Sequence, residues 1–214
     1  MKTSWRLWGQ RVRHSGKAFI ALLLVAGAVL AGCTQKTPGD ANSTTTANET
    51  TAASGTSEPT VEFPRRPSEI KLDGIADACV TLTKDQQREL GIDQALSEPM
   101  DVIEDREMPG CSFRANSRPL FSYEVTLISD EGAGYWQSGG NLDVIQKTVA
   151  GYGALQVTLA GTTKGDCALA VDVADGQQLF VSFLPIGDGF TQDQMCQNAA
   201  KGAEMALTTL QTLK

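Results

Sequence analysis

Five cysteines, at positions 33, 79, 111, 167 and 196, set the outer limits of what this chain can fold into. None belongs to a Cys-x-x-Cys pair, which weakens zinc-ribbon and thioredoxin-like readings. Cys33 stands apart from the other four. It follows residues 18–32 (AFIALLLVAGAVLAG), an uncharged and mostly apolar run, and that run follows five cations, Lys2, Arg6, Arg11, Arg13 and Lys17. A basic segment, an apolar core and small residues at its end form a secretory signal pattern. The run is short for a membrane span, which takes about twenty apolar residues. Export places Cys79, Cys111, Cys167 and Cys196 in an oxidising compartment, and an even remainder predicts two disulfides. Of the three pairings, Cys79–Cys111 and Cys167–Cys196 are favoured. Cys167 shares a strand face with Leu169, Val171 and Val173, and Cys196 opens the apolar stripe of the last helix, so both sulfurs point into one layer. Each bridge closes a loop of about thirty residues.

Leu30-Ala31-Gly32-Cys33 resembles the lipobox of bacterial lipoproteins, in which the thiol is alkylated by diacylglycerol and the chain is cut just before it. The resemblance implies a signal peptide over 1–32, lipidation of Cys33, and attachment to the extracytoplasmic face of the cell membrane. Two acyl chains hold stably at roughly 0.8 kcal/mol per buried methylene, where one is marginal. Residues 34–60 contain twelve Ser or Thr, no aromatic residue and no Val, Ile, Leu or Met. Such a segment buries too little apolar surface to offset chain entropy. Residues 33–60 are therefore read as the lipidated Cys and a disordered Ser/Thr-rich linker with a span of roughly 30 Å. The sequons at Asn42 and Asn48 match N-glycosylation, which the bacterial lipobox sets aside.

Charge and histidine content exclude several functions. From Cys33 onward, 13 of the 18 Lys and Arg residues face all 25 Asp and Glu. A nucleic-acid binder needs the opposite balance to release phosphate counterions. The only histidine, His14, lies in the leader. Without it the mature chain has no Ser-His-Asp, Cys-His or His-ligated zinc chemistry.

Residues 61–214 have the composition of one globular domain, and about 154 residues suffice for one core. Thr83-x-x-Gln86 is a capping box for a short helix over 84–90 that stops at Gly91. Residues 101–109, acidic and Pro-containing, read as a solvated loop. Strands are expected at 111–115, at 121–129, where Phe121, Tyr123, Val125 and Leu127 alternate with mostly polar residues, and at 154–160. Residues 141–150 read as a helix. Residues 167–184 place two β-rich runs around Asp175-Gly176, a strong hairpin signal. Asp172 and Asp175 are read as turn chemistry in preference to calcium ligands, because the other oxygens of an ion loop are missing. A last helix begins after Thr191, with Gln194 completing a second capping box, and runs to about 213. Cys196, Ala199, Ala203, Ala206, Leu210 and Leu213 form its apolar stripe. The predicted fold class is α+β: an antiparallel sheet with helices packed on it and two disulfides.

Several short motifs then line up: Cys79-Val80-Thr81-Leu82-Thr83, Gly110-Cys111-Ser112-Phe113, Gly151-Tyr152-Gly153-Ala154, a Cys opening a hairpin at 167 and a Cys in the final helix at 196. With the lipobox and spacer, the chain resembles the actinobacterial lipoproteins grouped under domain of unknown function 3558, over roughly residues 65 to 214. Where that family usually has Trp two residues after the second Cys, this chain has Phe113. The resemblance implies location and architecture and supplies no activity.

Residues 132–140 (GAGYWQSGG) hold Trp136, the only tryptophan after the leader. The phosphate-loop reading fails for want of a following Lys-Ser/Thr and of the third glycine of G-x-G-x-x-G. Tyr135, Trp136 and Tyr152 are candidate ligand-binding residues, against a leading alternative in which they pack the core. No carboxylate pair stands out as acid and base for glycoside chemistry. The expectation is a non-catalytic, lipid-anchored cell-envelope lipoprotein. It has no catalytic residues, metal site or cofactor, and it binds a partner protein or an apolar or wall-derived ligand. The alternative is a carboxylate-based hydrolase or carbohydrate-processing enzyme of the envelope.

Overall fold

Asp175-Gly176 reverses the chain as its turn chemistry requires: Gly176 has φ +68°, and it joins β6 (Cys167–Ala174) to β7 (Gln177–Pro185). The structure, a computed structural model, describes residues 61–161 and 165–213. The expectations for the leader, Cys33 and the linker lie outside those residues. Five further strands, β1 (Gln94–Ile103), β2 (Arg106–Ala115), β3 (Phe121–Ile128), β4 (Leu142–Val149) and β5 (Tyr152–Leu159), complete one antiparallel sheet of order β1-β2-β3-β7-β6-β5-β4. Two meanders, β1 to β3 and β4 to β7, therefore meet where β3 pairs with β7.

Strand alternation divides the core into two layers. Phe113, Tyr123, Val125, Leu169, Val171, Val181 and Phe183 point to the first, under α2 (Gln192–Leu210). Ile128, Leu155, Val157, Ala168, Ala170 and Phe180 point to the second. The connection from β3 to the distant edge strand β4 carries a 3-10 helix, Ala133–Ser138, which covers that second layer over β4, β5 and β6. Both capping boxes form, at Thr83/Gln86 for α1 (Lys84–Glu89) and at Thr191/Gln194 for α2. Gly202 lets α2 sit close to the sheet: a Cβ there would lie 2.8 Å from the Tyr123 ring.

The disulfides are Cys79–Cys111 and Cys167–Cys196, with Cα separations of 5.0 Å in both. The first ties a 3-10 helix, Ala78–Thr81, to the middle of β2, and the second ties α2 to the start of β6.

Four sequence expectations are corrected. Residues 101–109 form the tip of the β1–β2 hairpin, turning at Glu104-Asp105 with Asp105 at φ +60°. Asp101, Glu104, Asp105 and Glu107 are exposed there while Ile103 and Met108 between them are buried in the second layer, and Pro109 lies just past Gly110↔Thr126, the last β2–β3 pair, so its missing N–H costs no bond to β3. Residues 141–150 form β4 and no helix. Leu142, Ile145 and Val149 have helical spacing by coincidence, but Leu142 and Val149 point to opposite layers. The α2 helix ends at Leu210, and Leu213 lies beyond it, exposed. Asp172 sits inside β6, where Arg66 clamps it: Nε donates to Oδ2 at 2.7 Å and Nη2 to Oδ1 at 2.9 Å, while Nη1 reaches Asp175 at 2.8 Å.

This clamp fastens the extended entry segment over β6, which Ile70 N–H also engages through the Val173 carbonyl. The Asp172 side chain is 9% exposed. Arg66→Ala strands it without a partner and is expected to cost about 2 kcal/mol. Arg66→Ala/Asp172→Ala is expected to cost less than the sum of its singles, as a double-mutant cycle in urea would show. Additive singles would mean that the two side chains do not interact. Among the described residues, no helix is long and apolar enough to cross a membrane.

Candidate functional site

The three aromatic candidates do not converge. Trp136 is buried in the second layer, stacked on Phe180 with centroids 4.6 Å apart, and its Nε1–H donates to Gln178 Oε1 at 2.7 Å. Tyr152 is fully buried in the first layer, where its hydroxyl meets Ser68 Oγ at 2.8 Å and accepts from Gln211 Nε2 at 3.2 Å. They therefore lie on opposite sides of the sheet, and neither ring faces solvent. Tyr135 is the exception, 36% exposed and edge-on to Trp136.

A polar arrangement forms elsewhere, on the part of the second face made by β1, β2 and β3. Register sets Ser112 of β2 beside Glu124 of β3, and Glu124 beside Ser182 of β7. Two residues along, on the same face, Arg114 stands beside Ser122. These groups make a continuous chain. Arg114 Nη2 donates to Glu98 Oε1 at 3.2 Å, Arg114 Nε donates to Ser112 Oγ at 2.8 Å, and Ser112 Oγ donates to a Glu124 oxygen at 3.0 Å. Ser112, Ser122, Thr126 and Ser182 are buried, whereas the Arg114 and Glu98 side chains keep 41% and 44% of their exposure. The 3-10 helix that covers the rest of this face packs over β4 to β6.

Burial pushes the Glu124 carboxyl above the ordinary Glu range. Hydrogen bonds from Ser122 and Ser112 oppose that rise, the Glu98 charge adds to it and Arg114 counters it. Asp166, ahead of β6, is also raised by burial and lies outside this cluster. Because Glu124 is raised in the folded state, the folded chain holds its proton more tightly than the unfolded chain does. Its contribution to stability is then present below the unfolded value, about 4.3, and is lost as pH rises through the folded value. Glu124→Gln keeps an acceptor without the charge and is expected to stabilise the fold at pH 7. That gain should vanish on acidification below pH 4 in urea titrations, and a gain equal at both pH values would contradict the burial argument.

The Ser112 hydroxyl is buried, accepts from Arg114 Nε and donates a hydrogen bond to Glu124. Glu124 and the outer N–H groups of Arg114 can meet hydroxyl, amide or anionic groups of a ligand. Among the described residues, no three His, Cys, Asp or Glu side chains gather as a metal site. The sequence signal for Glu124 was faint: it is one of the mostly polar alternates of β3, and only cross-strand register brings Glu98, Ser112 and Arg114 to it.

A protein-family model matches residues 28–209, most of the chain. The chain belongs to that family, Protein of unknown function (DUF3558). Its four paired cysteines and the Glu98–Arg114–Ser112–Glu124 chain all fall inside the DUF3558 match. No curated protein and no solved structure matches the sequence.

Proposed function

We propose that this DUF3558 chain is a non-catalytic lipoprotein of the cell envelope, anchored through an acylated Cys33 on the extracytoplasmic face of the membrane. The domain binds a polar, wall-derived ligand on the sheet face around Glu124. The anchor rests on the leader and on Leu30-Ala31-Gly32-Cys33, and two disulfides fit an oxidising compartment. The observation that carries the binding reading is the Glu98–Arg114–Ser112–Glu124 chain, a half-buried carboxylate and guanidinium held on three adjacent strands. Rigid strands position such groups better than loops do. Its chemistry favours hydroxyl- and amide-bearing wall fragments over an apolar ligand.

The test is calorimetry of the full chain in detergent micelles with soluble glycan–peptide fragments released from cell wall. Binding is expected, weakened at least about tenfold, or 1.4 kcal/mol, in Arg114→Ala and in Glu124→Ala. Absence of binding by the unaltered chain would overturn the ligand class. Fragment cleavage abolished by Glu124→Gln would instead establish the carboxylate-based hydrolase. Mass spectrometry of the membrane fraction, finding Cys33 unacylated and joined to an intact leader, would overturn the anchor.

A further inference from the structure

The two edges of the sheet are unequal. The outer strand β1 contains Pro99 and has an irregular register between Met100 and Ile103, two features that discourage edge-to-edge pairing. The other edge, β4, has neither. It pairs with β5 without a break from Leu142↔Leu159 to Val149↔Tyr152 and contains no Pro or Gly. Ile145, at 51% exposure, is its most exposed apolar residue.

Among the described residues, the backbone groups of β4 that face away from β5 can be assigned. The Asn141 carbonyl accepts from Ala160 N–H at 2.9 Å, so odd-numbered residues direct their backbone groups toward β5. Val144, Gln146 and Thr148 therefore direct theirs outward, away from the sheet. On the α2 side of the strand, Asp143, Ile145 and Lys147 stand in line, an acid and a base symmetrically placed about an exposed isoleucine.

We propose that β4 is the docking edge for a second copy of this chain, the two strands pairing antiparallel about a two-fold axis with Ile145 opposite Ile145. This register sets Asp143 of each copy opposite Lys147 of the other, giving two cross-strand ion pairs around an apolar centre. Val144 and Gln146 then form the hydrogen-bonded pairs, which matches the outward direction of their backbone groups. Sliding to a centre on Gln146 or Val144 breaks both charge pairs, so charge complementarity selects one register. The inference is independent of the ligand proposed for the Glu124 face.

The experiment is in-cell crosslinking of the full chain carrying Ile145→Cys. Directly opposed residues of a non-hydrogen-bonded pair have Cα atoms about 4.5 Å apart, within disulfide reach. The expected result is a reductant-sensitive species of twice the chain mass. In that background, Asp143→Lys or Lys147→Asp sets like charges opposite each other and should lower the yield about tenfold, and the combined exchange should restore it. Sedimentation of the full chain in detergent, unaltered and as Ile145→Lys, checks the same interface without an added thiol, with a dimer lost in the variant. A chain that sediments as a monomer, a crosslink to a different protein, or single reversals without effect would overturn the proposal.

Discussion

Trp136→Ala should lower the unfolding free energy by about 3 to 5 kcal/mol, the range for truncating a large aromatic in a core. The residue is 9% exposed, stacks on Phe180, and carries Tyr135 against its edge. Its loss removes that packing and also orphans Gln178 Oε1, whose residue is fully buried. Gln178 is a bracket as well as a partner: its Nε2 donates to the Glu131 and Gly132 carbonyls at 3.2 and 3.0 Å, fixing the start of the 3-10 helix. Trp136→Phe keeps part of the ring contact and loses the donor, so it should cost less, about 1 to 3 kcal/mol. Urea unfolding of the two variants, followed by circular dichroism, measures the difference. A loss below about 1 kcal/mol for Trp136→Ala would show that the crossover helix does not close the second layer.

The same tryptophan shows what the sequence could and could not disclose. Core packing was the leading reading for it and it is buried, but nothing local marks its glycine-rich segment as one that crosses a sheet face. That path follows from topology, because the chain must travel from β3, next to β7, to the far edge at β4. Features governed by chemistry within a few residues were legible: the Asp175-Gly176 reversal, both capping boxes and the Phe121, Tyr123, Val125, Leu127 alternation. The disulfide pairing was legible for a different reason, since a strand face and a helix stripe both announced which way Cys167 and Cys196 point.

Edge strands were the least legible elements. In β4 five of eight residues are exposed, so burial on one face no longer enforces a period of two, and the three-and-four spacing of Leu142, Ile145 and Val149 imitated a helix. The β1–β2 tip failed likewise, because the exposed Asp101, Glu104, Asp105 and Glu107 mask Ile103 and Met108, which are buried between them. The candidate site was hidden by distance along the chain. Glu98, Ser112 and Glu124 lie on three different strands, and each looks ordinary where it stands. A one-residue slip in either pairing would turn Ser112 or Glu124 to the opposite face.

Removing the second disulfide as Cys167→Ala/Cys196→Ala should cost about 3 to 4 kcal/mol, because the bridge closes a loop of sequence separation 29 and its loss frees the unfolded chain. The folded state should change little. Met195, Ala199, Gly202, Ala203, Ala206, Leu207 and Leu210 of α2 remain buried against the sheet without help from the sulfurs, and the Thr191/Gln194 box still caps the helix. Helical circular dichroism is therefore expected to persist in the folded variant, while the urea midpoint falls and the m-value rises as the unlinked chain expands. Both cysteines must change together, since Cys167 is fully buried and a lone Cys196 thiol would be free to exchange with Cys79 or Cys111. A double variant that lost helix signal at zero urea would show instead that the bridge holds α2 in place, and that its packing against β6 and β7 is too weak to do so alone.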